Sequence, residues 1–376
     1  MKENLFKMRI LRIISRIIVG TVFIFSGVVK AIDPMGTVYK FQDYFTAFHI
    51  DFLKDFSLLF AILLCSAELI AGLSVLFNIR QKTGIWIIMI MMLFFTPLTF
   101  ILALTNPVSD CGCFGDAIHL TNWQTFWKNI ILLVPALFLF MTRKRIVAQH
   151  GYTREWVIIS IVMVIFASFI FYNLKYLPVI DFLPYKKGTY IPDKMIIPEG
   201  KAVDKYETTF IYEKDGQVKE FTLDNYPAND TTWKFVKQKS VLVKKGFLPP
   251  IHDFTITTLH DEDLTDQILS SQKPVILMIV RKFGETDHEL LRNGFEFGYY
   301  CMDNMINFCI LTASGADEVM KYNNGLTFCF TDEITLKTMI RSNPGYMMLK
   351  EGTVTGKWSW ANLPEKEVFG EMFYTQ

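Results

Sequence analysis

The chain has 376 residues, 51% of them hydrophobic, yet a formal net charge of only +1. That balance excludes a basic nucleic-acid binder, and no nucleic-acid partner is expected. The near-neutral total hides an asymmetry: residues 1–180 carry 16 basic against 9 acidic side chains, or +7, and the remainder 22 against 28, or −6.

Crossing about 30 Å of hydrocarbon takes roughly 20 apolar residues. Such stretches run from Leu11 to Ile32, Phe56 to Phe77, Gly84 to Thr105, Trp123 to Met141 and Trp156 to Leu174, which predicts five transmembrane helices. The first follows Lys2, Lys7, Arg9 and Arg12 as a signal peptide would, but no small-residue cleavage site comes after it, so it reads as retained. Alternating the spans gathers Lys2 to Arg16, Arg80 with Lys82, and Arg143, Lys144, Arg145 with Arg154 on one side. The positive-inside rule makes that side the cytosol. The expected location is a bacterial inner membrane, multi-pass, with the N-terminus cytoplasmic. The Asp33 to Asp55 connection, the loop beginning at Asn106 and everything beyond Lys175 then face the periplasm.

In the first of these connections Phe41, Tyr44, Phe45, Phe48 and Phe52 fall at helical spacing on one face. An interfacial helix fits, either an anchor or lid on the bundle or a groove for a quinone or partner. Glu68 lies in the middle of the second span, where an ionised carboxylate costs about 2.5 to 3.5 kcal/mol, so it must be neutral, paired or functional. Helix rise puts it roughly 18 Å below the outer end of its helix. Direct action on a surface loop is not expected, and Thr96, about 13 Å down the third span, matches its depth better than Lys30 at the outer end of the first.

The second outer loop carries Asp110, Cys111, Gly112, Cys113, Phe114 and Gly115. Thiol pairs oxidise outside the cytosol and rarely within it. Closing a disulfide requires Cα atoms about 4.4 to 6.8 Å apart, and Gly112 supplies the backbone freedom. So small a ring would be strained, a labile oxidant more than a staple. Three readings stand at this point: a redox pair, a structural pair, and a zinc site of Cys111, Cys113 and His119 with Asp110 or Asp116. The last matches no strong zinc spacing, and no metal is expected.

Residues 10–145 resemble the MauE and DoxX group of four-helix membrane proteins, MauE more closely. Ser26, Gly27 and Lys30 with Asp33 and Pro34 look like the first-helix signature, Glu68 with Gly72 like the second-helix motif, and Asp110 to Gly115 like the Asp-Cys-Gly-Cys-Phe-Gly loop. Asn129 falls where the family has a polar residue in its fourth helix. The resemblance implies disulfide formation or transfer beside a thioredoxin-like partner, in the maturation of a methylamine dehydrogenase subunit and hence in methylamine metabolism. Its DoxX side implies a membrane subunit of a quinone-linked oxidoreductase. The implied redox pair is Cys111 and Cys113, supported by Asp110, Gly112, Phe114, Gly115, Glu68, Lys30 and Asn129, with no covalent cofactor and a quinone as the candidate acceptor.

Beyond the fifth span, residues 181–246 are polar, carry Pro184, Pro192, Pro198 and Pro227, and show a hairpin signal at Asp215 and Gly216 between Thr208–Tyr212 and Val218–Thr222. They read as a β-containing linker. From Pro249 strands and helices alternate: Phe254–Thr258, Val275–Val280, helical Glu285–Tyr300, Phe308–Leu311, helical Ala316–Tyr322, Thr327–Phe330, helical Glu333–Ile340, then paired Tyr346–Leu349 and Val354–Trp358. A mixed sheet flanked by helices follows. The order resembles a periplasmic, membrane-tethered thioredoxin-like domain over residues 247–376, with Asn343 and Pro344 at its cis-proline turn. Where that family places Cys-x-x-Cys, this chain reads Arg281, Lys282, Phe283, Gly284. Cys65, Cys301, Cys309 and Cys329 read as small buried hydrophobes.

The expected fold class is thus a membrane all-α helical bundle, four MauE/DoxX-like helices in 1–145 plus a fifth in 146–180, followed by the linker and an α/β thioredoxin-like periplasmic domain. Two functions fit it. One is a membrane thiol-disulfide oxidoreductase, quinone-linked, that works with a periplasmic thioredoxin-like or client protein. The other is a non-catalytic scaffold whose degenerate domain binds a client.

Overall fold

The computed structural model describes residues 2–108, 110–145, 151–202, 205–214, 216–222, 225–226, 230, 232–244, 246–322, 325–366 and 369–370. Asp215 and Pro227, read above as turn and linker signals, lie outside the described residues. Among the described residues five helices are long and apolar enough to cross a membrane, over Phe6–Ile32, Asp51–Phe77, Gln81–Thr105, Asn122–Thr142 and Tyr152–Lys175, and the protein is a multi-pass membrane protein.

Helix α1 (Lys2–Ile32) stops where Asp33 starts α2 (Pro34–Ala47), its carboxylate accepting the Gly36 N–H at 2.9 Å and Pro34 filling the first turn. A short 3₁₀ turn at Asp51–Phe56 leads into α3 (Ser57–Phe77). Helices α4 (Gln81–Thr105) and α5 (Asn122–Thr142) follow, the first closed by left-handed Asn106 and the second opened by a Thr121–Gln124 capping box. Helices α1, α3, α4 and α5 close a four-membered ring around Val19, Phe23, Ala71, Ile88, Leu132 and Leu139. Helix α6 (Tyr152–Lys175) packs outside it, through Phe166 and Ile170 against Ala31, Cys65 and Leu69.

Helices α1 and α3 meet backbone to backbone. A Cβ on Gly72 would stand 2.7 Å from the Ile24 nitrogen, and one on Gly27 2.8 Å from the Cys65 carbonyl oxygen. This close approach brings side chains of the two helices within hydrogen-bond reach of each other.

After α6 and a short helix α7 (Ile191–Met195), strands β1 (Lys205–Lys214), β2 (Gln217–Thr222) and β3 (Lys234–Lys244) form an antiparallel sheet in the order β2-β1-β3. The hairpin signal is met by β1 and β2. Strand β3 was not anticipated, because Lys234, Lys237 and Lys239 stand exposed on it and no alternating apolar face marks it. A second sheet orders β6 (Phe328–Phe330), β5 (Asn307–Thr312), β4 (Val275–Val280), β7 (Gly345–Lys350) and β8 (Thr353–Ser359), with β4, β5 and β6 parallel and β7 and β8 antiparallel to their neighbours. Every residue of β4 is buried, as a strand covered on both faces requires. Leu277 and Ile279 face one layer with α8 (Thr265–Leu269) and α11 (Glu333–Met339); Ile276 and Met278 face another with α9 (His288–Asp303) and α10 (Ala316–Met320).

Two expectations change. Phe254–Thr258 is not a strand: Asp253 and Asp261 both turn the chain at positive φ, leaving only single bridges from Thr257 to Asp263 and Phe330. Tyr185 and Ile191, in the segment read as linker, are buried in the core of the second sheet. The Asn343–Pro344 bond is cis.

Gly27→Val drives a branched side chain into the α3 backbone. The expected loss is about 1 to 3 kcal/mol, read as a lowered thermal midpoint in detergent; an unchanged midpoint would show that the helices can separate freely.

Candidate functional site

The Asp110–Gly115 loop does not lie on the surface of the bundle. It dips between the helices, so that the Cys113 carbonyl oxygen accepts a hydrogen bond from Lys30 Nζ at 2.6 Å and lies 2.8 Å from Ser26 Oγ. Lys30 Nζ also donates to both Glu68 carboxylate oxygens at 2.9 Å and to Ser26 Oγ at 2.7 Å. Lys30 is 3% and Glu68 6% exposed, so each charge depends on the other for compensation. This overturns the depth argument made from helix rise. Glu68 is one side chain from the cysteine loop, because the loop descends to meet it, and its partner is Lys30. Thr96 Oγ1 is buried without a hydrogen bond among the described residues.

The rest of the loop is shaped by local chemistry. Gly112 is left-handed at φ +64, and a Cβ there would stand 2.9 Å from Lys40 Cγ. Its N–H donates to Asp110 Oδ1 at 2.9 Å, while Asp110 Oδ2 pairs with Lys40 at 3.0 Å and lies 3.9 Å from His119 Nδ1. Against the desolvation of partial burial, His119 and Lys40 hold the Asp110 carboxyl down at about 2. Tyr44 donates its hydroxyl to the Cys111 carbonyl at 2.7 Å, and Phe114 is packed edge-on against Phe25 with the Lys128 ammonium 4.5 Å above its ring centre.

Cys111 and Cys113 are free thiols with their sulfurs 3.3 Å apart. A disulfide needs about 2.05 Å, so bond formation requires little more than a rotation of the two side chains. The pair is electrically asymmetric. The neighbouring Cys111 thiol, with the Lys128 and Lys30 ammonium groups, outweighs burial and lowers Cys113, while Cys111 is pushed up by Cys113 and by burial. The two ammonium groups thus favour the thiolate on Cys113.

Both thiols border a cavity of about 630 Å³ enclosed by α1, α3, α4 and α5 and roofed by α2. Phe41, Tyr44, Phe45 and Phe48 of the aromatic face line the roof, whereas Phe52 is 75% exposed and stands apart. Leu63, Ile90 and Phe94 on α3 and α4 line the cavity and are also more than half exposed, which opens it sideways toward the lipid-facing surface. Asn129 is on the wall, its amide donating to Thr99 Oγ1 at 3.2 Å and not to the loop.

The C-terminal domain is seated on the loop end of the bundle. The segment after β4 brings the Arg281 guanidinium to the Tyr39 hydroxyl at 2.6 Å, and Arg341 donates to Asp33 at 2.8 Å and to Asp116. Its cysteines are buried: Cys301 is pushed up to about 12 by desolvation, and Cys309 is raised by the adjacent Cys329 thiol and by burial. Sequence reasoning missed Lys40, Lys128 and Arg341. Lys128 had a signal, a charge inside an apolar span, which the argument applied to Glu68 covers equally. Arg341 had none, since its partners are 308 and 225 residues away.

Residues 8–142, which hold the helical ring and the cysteine loop, match the family model of methylamine utilisation protein MauE. Residues 206–245, covering β1 to β3, match a domain of unknown function (DUF8463). No curated protein and no solved structure matches the chain.

Because the Cys111 thiol and the Lys128 and Lys30 ammonium groups lower the Cys113 thiol, its alkylation rate should level off at a lower pH than that of a free cysteine, which still accelerates near about 8.5. Lys128→Met removes a cation that favours the thiolate, so the midpoint of the rate profile should rise by about one unit or more; a profile identical to that of the parent protein counts against Lys128. Lys30→Met or Glu68→Leu alone should lower stability by about 3 to 5 kcal/mol. The double variant should recover much of that loss in a thermal unfolding series, and equal losses in all three would mean the two charges are not coupled.

Proposed function

We propose that the protein is a membrane thiol-disulfide oxidoreductase whose centre is Cys111 and Cys113. The observation that carries the reading is two free thiols 3.3 Å apart at the mouth of an apolar cavity that opens toward lipid. A quinone is the acceptor that such a cavity suits: a planar polar head between Lys128 and Tyr44, with an apolar tail leaving past Phe94 and Leu63. The dithiol gives two electrons and two protons to the quinone, forming the Cys111–Cys113 bond and a quinol. The disulfide then takes two electrons and two protons from a client dithiol, which leaves as a disulfide. Cys113 is the attacking or leaving sulfur and Cys111 its resolving partner.

In this reading the C-terminal region is a thioredoxin-like domain that has lost its own chemistry and serves as a docking module. The strand order β6-β5-β4-β7-β8 and the placement of Arg281 to Gly284 directly after β4 support it. The bundle lies in a bacterial inner membrane with the cysteine loop and this domain in the periplasm, consistent with the basic residues gathered at the opposite end. The family name points to methylamine utilisation, and maturation of a periplasmic partner protein in that process is the corresponding role. The missing Cys-x-x-Cys at Arg281 to Gly284 favours a second reading, a scaffold that holds a client without exchanging electrons.

Thiol trapping with an alkylating reagent in living cells, with and without quinone depletion, separates the two. The pair should be mostly oxidised when quinone is present and should accumulate as dithiol on depletion. One unvarying redox state under both conditions excludes the quinone link. Cys111→Ser leaves the attacking Cys113 without its resolving partner, so it should hold an oxidised client as a mixed disulfide, the second client sulfur leaving as a thiolate; a variant that captures nothing and still complements a deletion favours the scaffold.

A further inference from the structure

The cysteine loop is held from beneath by Lys30 and from above by a residue of the C-terminal domain. Arg341, in the turn after α11, is 8% exposed. Its Nε donates to Asp33 Oδ2 at 2.8 Å and its Nη2 to Asp116 Oδ2, so one guanidinium joins the cap of α2 to the loop three residues beyond Cys113. Gly36 makes the meeting possible: a Cβ there would stand 2.8 Å from Asp33 Oδ2, 2.9 Å from Asp116 Oδ2 and 3.1 Å from Arg341 Nη2. One turn further along α2, the Tyr39 ring has Arg281, Lys337 and Arg341 at 5.7, 5.0 and 5.3 Å from its centre.

This junction is more specific than adhesion of two domains requires. A planar fork can satisfy two carboxylates at once, which a lysine ammonium does not do in fixed geometry. With the guanidinium removed, Asp33 and Asp116 would face each other as enclosed like charges and would have to separate. Asp33 is fixed by its helix, with Gly36 N–H bonded to it. Asp116 is on a loop, so the loop is the part that moves.

We propose that Arg341 is a positioning residue for Cys111 and Cys113. Through Asp116 it lets the C-terminal domain hold the loop with the two sulfurs side by side and turned into the cavity. It thereby favours the disulfide over the dithiol and keeps the pair from water-borne thiols. The proposal rests on the pair being redox-capable, as above, but requires neither quinone nor client, so it can fail while that reading stands and the reverse.

The test uses the full chain in lipid nanodiscs. The reduced protein is pulsed with a membrane-impermeant maleimide, and labelling is read cysteine by cysteine, with Cys309 and Cys329 as internal reporters of folding. The thiol–disulfide equilibrium of the pair is measured separately against dithiothreitol, whose dithiol is oxidised to its cyclic disulfide as Cys111–Cys113 is reduced, two electrons and two protons passing between them. Arg341→Gln should speed labelling of the pair at least tenfold and disfavour its disulfide about tenfold, or about 30 mV. Arg341→Lys should fall between this variant and the parent. Asp116→Asn releases the loop while leaving the Asp33–Arg341 contact intact, and should reproduce Arg341→Gln. If Arg341→Gln exposes Cys309 and Cys329, the domain has unfolded and Asp116→Asn decides. Parental labelling and equilibrium in Asp116→Asn overturn the proposal.

Discussion

An ammonium and a carboxylate enclosed in an apolar bundle are tolerated only in contact, since removing either leaves an uncompensated charge in a medium that cannot solvate it. Lys30 and Glu68 meet that condition at 2.9 Å, and the contact organises much of what surrounds it. Glycines in α1 and α3 let the two backbones approach closely enough for the side chains to meet across the seam. The ammonium still has a proton to place once the carboxylate is satisfied, and the Cys113 carbonyl and Ser26 Oγ share it. The loop is therefore drawn into the bundle, and the thiols end up beside an apolar cavity instead of at the surface.

This explains which parts of the molecule were legible beforehand. Five apolar runs and β4, β5, β7 and β8 could be read because local pattern and final environment agree there: β4 is apolar throughout and buried throughout. The aromatic face that begins on α2 was legible as a face, and four of its five rings do line the cavity roof. The depth of the cysteine loop was not legible. Helix rise fixes where Glu68 lies, but it says nothing of how far a loop without regular structure can descend, and the wrong partner for Glu68 followed from treating the loop as flat. Strand β3 failed for a different reason, since an exposed strand rich in lysine carries no alternation to detect.

Net charge was equally silent about how the two halves meet. The C-terminal part is acidic in total, yet it presents Arg281, Lys337 and Arg341 to the bundle, and the basic bundle answers with Asp33, Asp116 and the Tyr39 ring. Each half turns its minority charge toward the other. A sum over 180 or 196 residues averages such a patch away, and only the placement of a few side chains recovers it.

The two ionic clusters act on the loop through different atoms. Lys30 holds the backbone of Cys113, a contact that any residue at that position would make, whereas Arg341 holds the side chain of Asp116, a contact that depends on that carboxylate. Between the two points of attachment lie only Phe114 and Gly115, and Phe114 is itself pinned between Phe25 and Lys128. A segment fixed at both ends over so few residues has little freedom of its own, so displacing either end must be felt at the sulfurs. The lower attachment is internal to the bundle. The upper one belongs to a domain that is covalently tied to the bundle only through α6 and is otherwise held by side-chain contacts such as Arg281 with Tyr39 and Ser359 with the Lys175 carbonyl. Of the two, it is the upper grip that a binding event at the C-terminal domain can loosen, and this gives a domain whose own cysteines are buried a physical route to the thiols beneath it.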